Sequence, residues 1–442
     1  MSTIFTFSQL NVKDRQMLLE FKCSNFRSFK GEETLSMLPV KAYKEYSDNL
    51  INAKLANRGD IDVLAAVALY GPNASGKTNF LNAMKFAQTL IIANASPDKF
   101  GTHGSFVGND EKDTSFSFLL LVDGVRFLYE FSISSAGITY EHLSAKPRSE
   151  RLVFERRLSD DGLYELKVGS RYSGIKTRLR GYMDNGLVLG LLSKFDIGDC
   201  KRVYDWFAQG LSIIIGDKPI DYGMMLEKLK NLGEDNFVMA MKKVKTADLG
   251  ITGAQLAVRN LTEEERDRHK IISDRVKTVF EVLSGEELDD IPEPDKKIVF
   301  QFQHSIGGKE VGFGFENESL GTVMMLNLAA DFIDALSKGK TLVIDEIERS
   351  IHPMLLRSLI SMFFDQSLNT RGAQLIFTTH DLSFMDNEMM RRDQLWFVDK
   401  DGESGASELY SLAEFSPRKD DSILNRYKYG AYGAVPYVEE VL

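Results

Sequence analysis

The sequence predicts an α/β fold: a mostly parallel sheet divided between the two ends of the chain, an antiparallel β section beside it, and an inserted, mainly helical domain. Three observations carry that expectation. A glycine-bearing loop joins an apolar run at residues 63–70 to a helix-spaced segment that begins at Lys77. Apolar and polar residues then alternate from Ser115 to about Leu143, the period of half-buried strands. From about residue 296 onward, short apolar runs alternate with helical periods, which calls for parallel strands and right-handed crossovers.

Composition narrows the class further. The chain has 442 residues, enough for two to four domains or for one domain carrying a large insertion. A hydrophobic fraction of 43% lies far from the composition of disordered chains. The 54 Lys plus Arg against 64 Asp plus Glu give a net charge of −10, which argues against a surface that coats nucleic acid. Two cysteines, Cys23 and Cys200, are too few for a disulfide framework and too far apart for a metal knuckle, so a reducing compartment is expected. No run of 18 apolar residues occurs and the first 14 residues lack a signal-peptide pattern, so the expectation is a cytoplasmic protein without a membrane partner.

In chain order, residues 17–24 read as a first strand and residues 63–70 as a buried one. Residues 77–91 form a helix with Phe80, Leu81, Met84, Ala87 and Ile91 on its buried face. Asp123-Gly124 turns a hairpin, residues 137–143 add a strand, and Asp161-Gly162 turns a second hairpin. Residues 184–284 are mainly helical by period, and the acidic run GEELDDIPEPD at 285–295 reads as a linker. Strands follow at 298–303, 310–315, 341–345, 374–378 and 395–398, with helices at 321–336, 353–364 and, briefly, 382–390. The expected division is an N-terminal lobe at 1–145, an insertion at 146–295 and a C-terminal lobe at 296–442.

Gly71-Pro72-Asn73-Ala74-Ser75-Gly76-Lys77-Thr78 matches G-x-x-x-x-G-K-[ST] between a strand and a helix. Its backbone N–H groups suit phosphate oxygens, Lys77 suits the terminal phosphates of ATP, and the Thr78 hydroxyl suits Mg2+. A second apolar run, 341–344, ends in Asp345 and Glu346. There Asp345 is placed to hold Mg2+ and Glu346 to orient or deprotonate a water. A third strand ends in Thr378-Thr379-His380-Asp381, where a neutral His380 can donate a hydrogen bond to a γ-phosphate.

Together these three elements resemble the ATP-binding cassette (ABC) class of P-loop ATPases. The resemblance implies a serine-and-glycine loop that reaches the nucleotide of a second copy, so that a homodimer sandwiches ATP between its heads. Glu318-Ser319-Leu320-Gly321-Thr322 occupies that place, with Leu320 departing from the LSGGQ pattern. Ser319 and the amides around Gly321 are then an anion site, with a plain helix cap as the alternative. Arg27, in Asn25-Phe26-Arg27-Ser28-Phe29, resembles an arginine near the nucleotide in recombination-repair ATPases; a solvated surface arginine is an equal reading. The glutamine loop of the class has no evident counterpart, Gln88 lying too close to Lys77.

The runs ESLGTVMMLNL, LVIDEIERSIHP, QLIFTTHDLSFMD and RYKYGAYGAVPYV are similar to bacterial RloA-like, abortive-infection (AAA15-like) ATPases of anti-phage defence. Relatives of that family include the PtuA ATPase of Septu and the AriA ATPase of PARIS. The resemblance implies a sensor or regulatory ATPase that scaffolds and controls a separate toxic nuclease, answers a phage-encoded trigger, and forms a dimer or higher homo-oligomer. About 60 residues follow His380, too few for a fused nuclease domain. Asp393, Asp399 and Asp401 read as solvated acids rather than a metal cluster. Between Lys146 and Arg202, 13 Lys or Arg face 8 Asp or Glu. That excess suits nucleic acid or an acidic partner, with a solvated strand face favoured. The rival readings are a recombination-repair ATPase that clamps DNA, a transporter motor and a self-sufficient nuclease.

Overall fold

The computed structural model describes residues 15–56, 59–93, 104–109, 111–179, 186–195, 197–216, 221–247, 250–284, 296–386 and 388–436. The acidic run at 285–295 lies outside the described residues. The chain divides into two compact units, Met1–Lys218 with Asp331–Leu442, and Pro219–Ala330.

The first unit contains the sheet that carries the sequence motifs. Its order is β11 (Leu211–Ile214), β15 (Thr341–Ile344), β16 (Gln374–Thr378), β5 (Ala66–Tyr70), β17 (Leu395–Lys400) and β18 (Ser407–Ser411). All neighbours run parallel except β18, which folds back on β17. Strands β5, β15 and β16 are buried along their whole length, as expected of strands covered on both faces. A parallel strand places its C-terminal end beside those of its neighbours, so β5, β15 and β16 deliver Gly71, Asp345 and Thr379 to one edge.

The second sheet of this unit is a seven-stranded antiparallel one, ordered β10 (Tyr164–Val168), β9 (Arg151–Leu158), β8 (Gly137–Lys146), β7 (Val125–Ser134), β6 (Thr114–Val122), β1 (Gln16–Phe26) and β2 (Phe29–Ser36). The β6–β7 turn has positive φ at both Asp123 and Gly124, the geometry that an Asp-Gly hairpin adopts. Helix α1 (Lys77–Ala93) buries Phe80 against Phe21 and Phe29 of this sheet, at ring distances of 5.3 and 5.7 Å. Burying each such side chain contributes about 1.5–3 kcal/mol.

Several expectations need correction. The run 63–70 is two strands, because the chain leaves the small pair β3 (Leu50–Lys54) and β4 (Asp60–Leu64) at Ala65 and enters the parallel sheet as β5. Ala65 is the joint: its N–H donates to the Asn49 carbonyl and its own carbonyl accepts from Leu375. Strand β11 lies within the stretch read as helical, and four residues of Leu-Ser-Ile-Ile are too few to show a period. Short helices α2 (Ile175–Arg178), α3 (Val188–Ser193) and α4 (Gly198–Asp205) lie in the same unit. Asp393 is a buried ion partner of Arg391 at 2.8 Å rather than a solvated acid.

The second unit mixes helices with a sheet. Helices α5 (Tyr222–Asn231), α6 (Glu234–Ala247) and α7 (Glu263–Ser284) accompany a sheet ordered β12 (Ile251–Asn260), β13 (Lys296–Ile306) and β14 (Lys309–Phe313). Phe300 stacks on Phe315 at 4.7 Å, and Met225, Leu229, Met241 and Val244 are buried. Helix α8 (Leu320–Lys338) begins in this unit and ends in the first. Among the described residues it alone has the length and hydropathy of a membrane span, and 61% of that window is buried inside the protein, as in a core helix.

Candidate nucleotide site

The loop after β5 has the backbone that its glycines permit. Gly71 sits at φ +152°, where a Cβ would lie 2.2 Å from the Val398 carbonyl oxygen. Gly76 sits at φ +119°, with the Ser407 and Ser28 hydroxyls 2.6 and 2.9 Å from the place of a Cβ. Any side chain at either position forces the loop open. The loop is held from behind as well. Ser407 Oγ donates to the Ser75 carbonyl at 2.6 Å, and Asn79 Nδ2 donates to Ser28 Oγ at 3.0 Å.

Lys77 folds back over this loop. Its Nζ donates to the Gly71 and Pro72 carbonyls at 2.6 and 3.0 Å, and the residue is 6% exposed. Burial lowers its proton affinity, while Asp345, Glu346 and Glu348 pull it back up. Thr78 Oγ1 donates to Asp345 Oδ2 at 2.9 Å across 267 residues of sequence. The other oxygen of Asp345 accepts from Thr378 Oγ1 at 2.6 Å. One carboxylate thus joins the phosphate-type loop to the two neighbouring strands.

Glu346 follows at φ +49°, a left-handed backbone that turns the chain away from the strand direction. Its N–H donates to Thr378 Oγ1 at 2.7 Å, and its carboxylate lies 3.4 Å from Arg349 Nε. Arg349 also donates to the Gly216 carbonyl at 3.0 Å, just beyond β11. The His380 N–H donates to Glu348 Oε1 at 2.6 Å. Burial and the Lys77 charge hold the His380 imidazole below its ordinary pKa of 6.5, against the opposing pull of Glu348, Glu346 and Asp345.

The eight loop residues, Lys77, Thr78, Asp345, Glu346 and His380 therefore come from three adjacent strand ends of one unit. A cavity of about 450 Å3 opens beside them, lined by Tyr70, Pro72, Asn73, His380, Leu382 and Tyr427. The site fits a nucleotide triphosphate with Mg2+. The glycine cradle is closed to side chains, the Ser75 hydroxyl is buried without a hydrogen-bond partner, and Thr78 and Asp345 offer hard oxygen donors within hydrogen-bonding distance of each other. Among the described residues no cluster of three His, Cys, Asp or Glu suits a metal by itself.

Arg27 reaches Asn79 in the first turn of α1 at 3.4 Å, with φ +51°. Ser319 lies in the second unit and caps α8: its Oγ accepts from the Thr322 N–H at 3.1 Å and pairs with the Thr322 hydroxyl at 2.8 Å. Gly321 follows in the first turn of that helix. Gln88 has a structural task, donating to the Phe207 and Leu211 carbonyls, both at 2.8 Å. Among the described residues between Lys146 and Arg202, Arg151, Arg156, Arg157, Lys167, Lys201 and Arg202 pair with carboxylates of the same unit. Sequence reasoning missed Thr378, Arg349 and Glu348. The doubled threonine before His380 and the second acid of Asp-Glu-Ile-Glu were the available signals.

The SMC head domain from Thermotoga maritima aligns with 15% identity over 89% of this chain and 98% of its own, at a TM-score of 0.35. An SMC head bound to the C-terminal winged-helix domain of ScpA aligns with 14% identity over 90% and 99%, at a TM-score of 0.37. No curated protein matches the chain. A family model matches residues 66–170 and 248–386, more than half of the chain and including the phosphate-type loop, both acids and His380. The chain thus belongs to the P-loop ATPase family described as "AAA domain, putative AbiEii toxin, Type IV TA system".

Proposed function

We propose that this protein hydrolyses ATP and uses the cycle to control a separate toxic nuclease in a bacterial abortive-infection system. The observation that carries the ATPase reading is the Asp345 carboxylate, bonded by Thr78 on one oxygen and by Thr378 on the other. In this reading Lys77 leaves the Gly71 and Pro72 carbonyls for phosphate oxygens, and Thr78 and Asp345 hold Mg2+. When bound, that ion neutralises charge on the phosphates. Glu346 orients the attacking water and takes its proton, and the neutral His380 donates a hydrogen bond toward the terminal phosphate. Ser319 and the Gly321 amide serve the nucleotide of a second copy, so that ATP binding closes a homodimer and hydrolysis reopens it. Arg27 borders the nucleotide through Asn79.

The abortive-infection role rests on the family description, whose words name a toxin of a toxin–antitoxin system, and on the likeness to RloA-like, PtuA and AriA ATPases in the late motifs. The cytoplasm is the proposed compartment, and a phage product the proposed trigger. The pairing of Arg151, Arg156 and Lys167 with carboxylates of their own unit gives no support to a DNA clamp. The test is expression of a nuclease gene adjacent to this one, alone and with the chain or its Lys77→Ala variant. Control by ATP predicts that toxicity differs between wild type and variant. Equal toxicity with both removes the regulatory role, and ATP-dependent duplex binding by the chain alone would replace it with the clamp.

A further inference from the structure

The turn after β15 and the loop after β16 are joined by more than the residues assigned above. Thr378 makes three of the bonds: its hydroxyl donates to Asp345 and accepts from the Glu346 N–H, and its carbonyl accepts from Ile347 N–H at 3.1 Å. The next bond along is the Glu348 carboxylate on the His380 N–H at 2.6 Å. On its other side the same loop is held by β5. The Thr379 N–H donates to the Leu69 carbonyl at 3.1 Å, and Tyr70 Oη donates to the Asp381 carbonyl at 3.0 Å. The His380 backbone amide is thus fixed by an acidic side chain from the turn after β15.

We propose that Glu348 is a positioning residue for ATP hydrolysis, its carboxylate fixing the backbone of His380 so that the imidazole faces the terminal phosphate. This inference rests on the nucleotide-site reading. Its geometry is specific. Glu348 lies three residues beyond Asp345, past the left-handed Glu346, and the turn between them is pinned by the buried Ile347, which is 3% exposed. The Glu348 carbonyl accepts from Ile351 N–H at 3.0 Å, which fixes the backbone from which the carboxylate reaches. Its second carboxylate oxygen is shut from solvent and has no hydrogen-bond partner. A fully buried structural acid fills both oxygens, as Glu141 does elsewhere in the same unit. An acid kept half satisfied beside Lys77 and His380 matches a group that belongs to the site.

The experiment is steady-state ATP hydrolysis by the full chain and by Glu348→Ala, Glu348→Gln, His380→Ala and the double variant Glu348→Ala/His380→Ala. Nucleotide affinity and melting temperature are measured in parallel. Glu348→Ala is expected to lower kcat by about 10- to 100-fold, the loss typical of a misplaced catalytic group, with KM for ATP within about threefold. Glu348→Gln is expected to recover most of that loss, because an amide oxygen still accepts the His380 N–H. In the His380→Ala background, removing Glu348 is expected to cost no more than about twofold further. An unchanged kcat in Glu348→Ala overturns the proposal, as does a full multiplicative loss in the double variant. If the wild-type chain hydrolyses no ATP, the nucleotide-site reading itself fails and the proposal with it. Wild-type hydrolysis that depends on Lys77 but ignores Glu348 removes the proposal alone.

Discussion

Two regions of the first unit bury charge in opposite ways. In the antiparallel sheet, Glu141 and Arg156 are 0% and 1% exposed, and every oxygen of the acid is used. Glu141 Oε1 accepts from Tyr129 Oη at 3.0 Å and the Leu189 N–H at 2.9 Å, and Oε2 accepts from Arg156 at 2.9 Å and the Val188 N–H at 2.7 Å. On the acid's side that network is closed, and it ties β8 and β9 to the start of α3. Around the loop at residues 71–78 the network is open. Lys77 rests on carbonyls of its own loop, and Ser75 Oγ and Glu348 Oε2 are buried without partners. Burying polar groups without partners costs free energy, and a ligand that completes them is one way to recover it. The closed network is a structural joint, and the open one is the proposed binding site.

The closed network gives the largest expected effect on stability. Arg156→Ala strands the Glu141 carboxylate in the core and should destabilise the protein by about 3–5 kcal/mol in denaturant titrations. A loss below about 1 kcal/mol would erase the contrast. The open network should respond in the reverse sense. Lys77→Ala should reduce nucleotide affinity at least about 100-fold while changing unfolding free energy by no more than about 1 kcal/mol, because the amine it removes is desolvated against carbonyls. Calorimetric nucleotide titration and a melting curve check both halves.

Glu33 is an intermediate case. It accepts one backbone bond, from the Leu409 N–H at 2.7 Å, and burial together with Glu408 and Glu414 pushes its pKa up to about 7. A raised folded-state pKa means that the stability Glu33 contributes is complete below its unfolded value of 4.5 and is lost as pH rises through about 7. Glu33→Gln should therefore be more stable than wild type at pH 8, by about 1 kcal/mol after discounting for solvent screening, and level with it near pH 4.5. A gap independent of pH would mean that Glu33 does not titrate in that window.

The open network was more legible in the sequence than the closed one. Lys77, Thr78, Asp345 and His380 stand in short patterns whose spacing follows from strand–loop geometry, so their residue types reveal their neighbours. Glu141 and Arg156 stand in ordinary alternating strands, and their pairing depends on the β8–β9 register, which places Arg156 opposite Glu141. The hairpins were legible because Asp123-Gly124 and Asp161-Gly162 specify turns locally. Strand β11 was not, since four apolar residues carry no period and its place beside β15 is set by contacts more than 100 residues away. The break at Ala65 was hidden for the same reason, an unbroken apolar run serving two sheets. Glu348 was hidden because an acid two residues after Glu346 reads as a solvated turn until the chain is seen to fold it back onto His380.

The central claim is that the open network is a site for ATP hydrolysis, and Glu346 is where it is most exposed to test. The measurement is phosphate release from Mg-ATP by wild type and Glu346→Gln, with nucleotide binding measured on the same samples. The account predicts release by the wild type and a loss of at least about 100-fold in the variant, with ATP affinity retained. No release by the wild type, or equal release by both, would contradict it.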